Sequence, residues 1–479
     1  MKRAAVALFA CAGCNSWFGL DPTHEVTPDA PPTFGTARVV YQVATTNNAG
    51  MPEPASYAPI GGLMVSAGTA SGPLAPVAVA ADGTIQIPSE VLAGPWRLAY
   101  AIGGGMPVEY QWQATAPVVC VPRFGRLDRT AVGAGDYVRM HVPVSYLSPR
   151  LVTTGVWTET PLPNPPGTGT GDDAFPFAMA KPLDGDLGAP EGARGDRQLV
   201  VDFRNGGSEA YGYGIEPGEL VPPGTAATTV PFEPASGQPQ AFGDKIVPLV
   251  STQRFTAGLG ALYTDPNSDR SHTVVGLVPS PAVPALGIDA PFIVDLGTYD
   301  GADFGSYAPV NPVELAVPRA VYLRRTTLRS PNGVKLISTL ERMDLGTSDD
   351  YPRNAPTDLA VGVASHVTLD DADLMSGDNL AITSTTTTHT LAFTVMMGTA
   401  DDAVVTIYRI DPTDLVPVHR YITTGTTIAI DRAVLAPGST YVAAIELRTG
   451  YPDAAAGDYR RITYPLAMSK IFAGTFRIQ

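Results

Sequence analysis

Glycine and proline set the limits on this fold: 49 and 46 of them among 479 residues cut the chain into short apolar runs. Proline lacks the amide hydrogen that a helix interior needs, and glycine costs about 1 kcal/mol there relative to alanine. Through the long middle of the chain no 3.6-residue periodicity is sustained, and the best helical candidate, Thr252 to Tyr263, is interrupted by Gly258 and Gly260. The apolar runs that remain are rich in Val, Ile, Thr and aromatic residues, which suit pleated strands. Charged residues make up 16% of the chain, below the roughly 25% of an average soluble domain, as expected where outer faces are built from Thr, Ser, Gly and Pro. The expectation is an all-β protein: several β-sandwich domains in a row with little helix.

The amino terminus predicts export. Lys2 and Arg3 precede an uncharged apolar run, Ala4 to Ala12, and Ala12-Gly13 sets small residues before Cys14, the order of a secretory signal. The run falls well short of the about 20 apolar residues that a membrane-spanning helix requires. The stretch resembles the signal of a bacterial lipoprotein, in which a small residue precedes the cysteine that receives lipid. That resemblance implies a signal peptide over 1–13, cleavage before Cys14, a diacylglycerol thioether on Cys14, and a protein held to the outer membrane or cell surface by its lipid. Cys11, in Leu8-Phe9-Ala10-Cys11, is the alternative acceptor, and a plain secretory signal would still export the chain. Residues 14–34, with Pro22, Pro28, Pro31 and Pro32 among acidic residues, read as a Pro-rich tether, extended at about 3 Å per residue.

The formal charge of −15 argues against nucleic acid and against electrostatic binding to anionic lipid, both of which need clustered Lys and Arg. Membrane attachment then rests on acyl chains. With Cys11 removed and Cys14 lipidated, Cys120 is the one remaining thiol and no intramolecular disulfide can form. Its setting, Val118-Val119-Cys120-Val121, reads as a small core hydrophobe.

A first domain is expected over 35–122. Strand-like runs occur at Ala37 to Val43, Leu63 to Ala67, Val77 to Ala81, Thr84 to Ile87, Trp96 to Ile102 and Val108 to Trp112, with Asp82-Gly83 as a hairpin turn. Ala81-Asp82-Gly83-Thr84-Ile85-Gln86-Ile87 followed by Leu92-Ala93-Gly94-Pro95-Trp96-Arg97-Leu98 resembles carboxypeptidase-regulatory and transthyretin-like modules. The resemblance implies an immunoglobulin-like β-sandwich serving as a spacer, without an active site.

A central β-sandwich or jelly-roll-like domain with long loops is expected over 123–345. Val138, Met140, Val142 and Val144 alternate with Tyr137, Arg139, His141 and Ser145, which predicts a strand from Asp136 to Tyr146 with His141 on its polar face, turning at Leu147-Ser148-Pro149 into Leu151 to Trp157. The PLPNPPGTGTGDD stretch from Pro161 to Asp173 predicts an exposed loop, as does Pro182 to Asp196. Further strands are predicted at Gln198 to Phe203, Lys245 to Leu249, His272 to Val278, Phe292 to Leu296 and Val313 to Leu323.

The last domain is expected over 357–479, with strands at Leu391 to Val395, Val404 to Ile410, Val416 to Thr423, Thr427 to Ile430 and on to Ile445. Leu435-Ala436-Pro437-Gly438-Ser439-Thr440-Tyr441 is similar to the corner before the penultimate strand of fibronectin type III modules. There the tyrosine hydroxyl folds back on the preceding turn. The resemblance implies a β-sandwich used for display or contact.

Chemistry-bearing motifs are absent: no G-x-S-x-G elbow, H-E-x-x-H helix, C-x-x-C pair, Walker loop or dinucleotide fingerprint. The six histidines are scattered. Calcium is the one candidate cofactor, at Asp265, Asn267 and Asp269, although Arg270 stands where the turn glycine of a calcium loop belongs. Asp370-Asp371-Ala372-Asp373 is a second acidic turn. The reading is a non-enzymatic envelope protein with a structural, adhesive or ligand-binding role, its protein or carbohydrate partner unspecified. The alternatives are a secreted, polysaccharide-acting hydrolase with its site on central loops such as 161–196, and a partner of a secretion or transport complex.

Overall fold

The computed structural model describes residues 35–45, 56–112, 117–125, 320–345, 361–383, 386–463 and 466–479, and strand backbone at intervals from 137 to 300 and at 356–357. Among the described residues there is no α-helix, and none long and apolar enough to cross a membrane. The protein is all-β, with its strands in several sheets.

The first segment folds into β1 (Thr36–Thr45), β2 (Ser56–Pro59), β3 (Leu63–Thr69), β4 (Ala75–Val77), β5 (Thr84–Gln86), β6 (Trp96–Ile102), β7 (Val108–Trp112) and β8 (Val118–Gly125). β1 takes β2 and β5 antiparallel and β8 parallel; β4, β3, β6 and β7 form an antiparallel run. Alternate residues of these layers meet in one core, Ala37, Val39, Ile85 and Val119 against Val65, Ala67, Trp96, Leu98, Tyr110 and Trp112. The Asp82-Gly83 turn forms as expected. Gly83 has φ +83, Asp82 Oδ1 accepts from Thr84 N at 2.9 Å, and Val79 bridges Ile85. The strands flanking this turn then diverge, β4 joining β3 and β5 joining β1.

In the central stretch lie β9 (Tyr137–Met140), β10 (Pro149–Thr153), β11 (Thr158–Pro161), β12 (Asp173–Pro176), β13 (Arg197–Arg204), β14 (Glu209–Pro217), β15 (Gln240–Ala241), β16 (Leu249–Val250), β17 (His272–Val278), β18 (Val294–Asp300), β19 (Ala320–Arg329), β20 (Leu336–Leu345) and β21 (Pro356–Thr357). β9 and β10 do not form the expected hairpin: β9 pairs with β12, and β10 with β11 and β13. Alternation specifies which face a strand presents, and neighbours with the same alternation are interchangeable as partners. The glycine-interrupted helical candidate at 252–263 and the loop expected over 182–196 lie outside the described residues.

The last segment supplies β22 (Val363–Leu369), β23 (Ala372–Asp373), β24 (Leu380–Ile382), β25 (Thr388–Met396), β26 (Asp402–Asp411), β27 (Asp414–Thr423), β28 (Thr427–Asp431), β29 (Thr440–Thr449), β30 (Leu466–Phe472) and β31 (Phe476–Ile478). β23, β22, β25 and β28 make one four-stranded sheet. It faces β27, β26, β29 and β30 across a core that includes Val363, Leu369, Leu391, Phe393, Ile428 and Ile430 on one side and Val405, Ile407, Tyr421, Ala443, Ile445 and Ile471 on the other. At the corner before β29, Gly438 has φ +81 and the Tyr441 hydroxyl donates to the Ala436 carbonyl at 3.4 Å.

The opposite face of β26, β27 and β30 is covered too. Val404, Ile422, Leu466 and Met468 belong to the core of the first segment, and Val442, Ala444 and Phe472 pack with Val334 and Leu336. β7 runs parallel to β27, and β20 pairs with β30 on the far side, so the two ends of the chain and the strands leading back from its middle share one sheet.

Candidate functional site

Among the described residues, a group of buried polar side chains sits where β7 meets β27, at the seam between residues 35–125 and 361–479. The parallel register sets Glu109 beside Tyr421 and Gln111 beside Thr423, and β6 flanks β7 with Arg97 opposite Gln111. Period-2 alternation puts Arg97, Glu109, Gln111, His419 and Tyr421 on one face of the joined sheet. That face is the one covered by β28 and its neighbours, so residues that alternation alone would send to water are buried: Glu109 is 2% exposed and Arg97 4%.

Each charge in this group has a counterpart. Arg97 donates from Nη1 to Glu109 Oε1 at 3.3 Å and from Nε to the Thr69 carbonyl at 3.3 Å, and its other Nη donates to the Gly72 carbonyl. Gln111 Nε2 donates to the same Glu109 oxygen at 2.7 Å and to the Ala429 carbonyl at 2.8 Å, while Gln111 Oε1 accepts from Ala429 N at 2.9 Å. The carboxamide thereby completes the outer edge of β28 as a neighbouring strand would, which removes an open donor and acceptor from a sheet margin. His419 Nε2 lies 3.4 Å from Glu109 Oε2, within ion-pairing distance but without an aligned hydrogen bond, and its ring stacks on Tyr421 at 4.4 Å.

Other contacts close the same seam. Val118 bridges Asp458, and Gln42 Nε2 donates to the Arg460 carbonyl at 3.0 Å. Arg460 in turn pairs with Asp458, and this hydrogen bonding holds the Asp458 carboxyl below its usual range. On the opposite face Tyr110 packs against Trp112, Tyr100 and Tyr459. Burial pushes the Tyr100 phenol up to about 12 and those of Tyr110 and Tyr459 well above 10. Beside them Asp402 takes Arg448 Nε at 2.9 Å, with the Asp402 side chain fully buried.

The residues singled out from sequence fall elsewhere. Cys11 and Cys14, the trio Asp265, Asn267 and Asp269, and His141 lie outside the described residues. Asp370 and Asp371 have φ of 48 and 66, a tight-turn conformation that Asp tolerates. The Asp370 carboxylate is occupied by His389 Nδ1 at 2.6 Å and Thr390 N at 2.8 Å, and Asp373 Oδ1 accepts from Met375 N. Among the described residues no group of three or more His, Cys, Asp or Glu could hold a metal ion. Cys120 is partly buried against the first core, and burial raises its thiol to about 12, so it stays protonated. Tyr57 is the one exposed large aromatic among the described residues.

Sequence patterning does not single out Arg97, Glu109, Gln111 and His419 as a group. The alternation of Val108, Tyr110 and Trp112 with Glu109 and Gln111 is a visible signal of a shared face, but its cover comes from a strand more than three hundred residues away.

No protein-family model matches the chain, and no curated protein matches it. Among solved structures, one similar chain is the tetra-tandem repeat in the extending region of a large adhesion protein, 12% identical over 92% of this chain and 97% of that one, with a TM-score of 0.13; a score this low carries no structural argument.

Proposed function

We propose that this chain is an exported, lipid-anchored β protein of the bacterial envelope with a non-enzymatic structural, adhesive or ligand-binding role. The observation that carries this reading is the closure of the chain's two ends on each other. β7 and β27 pair, β8 meets Asp458, and β20 returns to β30, so the stretch between β8 and β20 leaves and re-enters a single β base. A tether running from Cys14 would join that base at β1, leaving the intervening strands to be presented outward. The buried carboxylates of the base are held by Arg97, Gln111 and Arg448, an arrangement suited to stiffness. The Tyr441 to Ala436 hydrogen bond supports the fibronectin type III-like reading of the last segment.

Metabolic labelling with a clickable fatty acid, followed by membrane fractionation, tests the anchor. Label and membrane association are expected in the natural chain, lost in Cys14→Ala and kept in Cys11→Ala. The reverse pattern moves the anchor to Cys11, and an unlabelled natural chain overturns it. Incubating the purified protein with a panel of polysaccharides tests the non-enzymatic role: binding without release of reducing ends is expected, and turnover would replace it with the hydrolase.

A further inference from the structure

The chain enters the base at the amino-terminal end of β1 and continues toward the central stretch from the carboxy-terminal end of β8. These two strands are parallel partners over eight residue pairs, from Arg38 beside Val118 to Thr45 beside Gly125. Entry and exit therefore lie at opposite ends of the pairing, about 23 Å apart at roughly 3.3 Å per residue. An antiparallel pair would have set both points at the same end. We propose that β1 and β8 form a shear clamp, which bears tension passed between the membrane tether and the displayed central stretch. The clamp rests on the N-terminal anchor proposed above for the point at which load enters.

Tension between entry and exit drives the two strands along each other, across their main-chain hydrogen bonds, so all eight pairs must slip together. Peeling from one end would meet the same bonds pair by pair. Each such bond is worth only about 1 kcal/mol net; a sequential path crosses a series of low barriers, and a concerted one a single high barrier. The other margin of β1 adds to the concerted load. β5 takes Thr36, Ala37 and Arg38, and β2 takes Val40 to Val43, so β1 is an interior strand that cannot peel from a sheet edge. Side chains oppose the same displacement. Ala37, Val39 and Val119 are buried in the first core, and a slip of one residue would turn them to the opposite face. Both strands are also fastened to the last segment: Gln42 Nε2 on β1 donates to the Arg460 carbonyl at 3.0 Å, and on β8 Val118 N donates to the Gly457 carbonyl while the Val118 carbonyl accepts from Tyr459 N. Forced rupture is set by the unfolding barrier and not by equilibrium stability, so this geometry resists load without a larger core.

Single-molecule pulling on the full chain tests the clamp, with handles coupled through azide-bearing side chains at two pairs of positions. Handles at Phe34 and Arg126 load β1 and β8 in shear. Handles at Asn47 and Arg126, both just beyond the paired ends at Thr45 and Gly125, peel the strands from one end. The gain in contour length identifies the event that opens the chain between the handles. At equal loading rate the rupture force should be several-fold higher in the shear geometry, and matching urea midpoints of the two handle-bearing chains assign the difference to geometry. Equal forces, or a lower force in shear, overturn the clamp. Neither geometry involves lipid, so equal forces would leave the anchor at Cys14 untouched, and an unlabelled natural chain would leave the force difference untouched.

Discussion

β25 and β26 follow one another in the chain, yet they show opposite burial. In β25 His389, Leu391 and Phe393 are buried while Thr390 and Thr394 are exposed; in β26 every residue from Asp402 to Ile407 is buried. β25 belongs to a sheet with one face toward water, whereas β26, with β29 and β30, is the middle layer between two cores. Their sequences say so: THTLAFTVM alternates, while AVVTIY in β26, broken only by Thr406, and YVAAI in β29 are near-continuous apolar runs, the signature of strands covered on both sides. A doubly covered strand can carry a charge only as a compensated pair, as Asp402 does with Arg448.

The comparison breaks hardest at that pair. Asp402→Ala leaves the Arg448 guanidinium without its carboxylate, and urea unfolding should show a loss of about 3–5 kcal/mol. Next come paired truncations. Ile445→Ala in β29 and Leu391→Ala in β25 should each cost about 2–5 kcal/mol, as fully buried aliphatic side chains do. The contrast appears one residue along: Val404→Ala, adjacent to the equally buried Val405, should still cost about 1–3 kcal/mol, while Thr390→Ala, adjacent to Leu391, should stay within about 0.5 kcal/mol. Equal costs at Val404 and Thr390 would remove the distinction between middle and outer layers.

pH provides smaller, graded tests. Tyr100, Tyr110, Tyr421 and Tyr459 all have phenols raised by burial. Because the folded values exceed the unfolded value of 10.0, the unfolded chain loses these protons first. Stability is therefore fully present below pH 10 and falls as pH rises toward 12 and beyond. Unfolding midpoints measured across this range should drop, and Tyr100→Phe should lessen the drop. The smallest effect belongs to Asp458, whose lowered value contributes stability above the usual carboxylate range and loses it as pH falls through the folded value. Much of this group meets solvent, so Asp458→Asn should alter acid stability only slightly.

Several elements are legible in the amino-acid sequence. The runs at Trp96 to Ile102 and Val108 to Trp112 match β6 and β7, Asp82-Gly83 makes its turn, and the strands from Val404 to Ile430 match β26, β27 and β28. β2, β14, β20, β22, β30 and β31 do not stand out from it. Leu466 to Phe472 contains Ser469 and Lys470, which blur any period. The candidate site is less legible still: Glu109 and Gln111 stand on the polar side of a recognisable strand, and a polar side ordinarily means water.

By itself, the sequence determined that this chain folds as β structure, because its Gly and Pro spacing forbids long helices and its short runs favour the pleat. It also determined which side chains share a face, since that follows from period 2 within each strand. Only the tertiary structure decided which faces are covered and by what. Pairing partners such as β7 and β27 are separated by most of the chain, and the same alternating pattern suits many of them. That choice alone turned Arg97, Glu109 and His419 from residues expected in solvent into the buried centre of the seam.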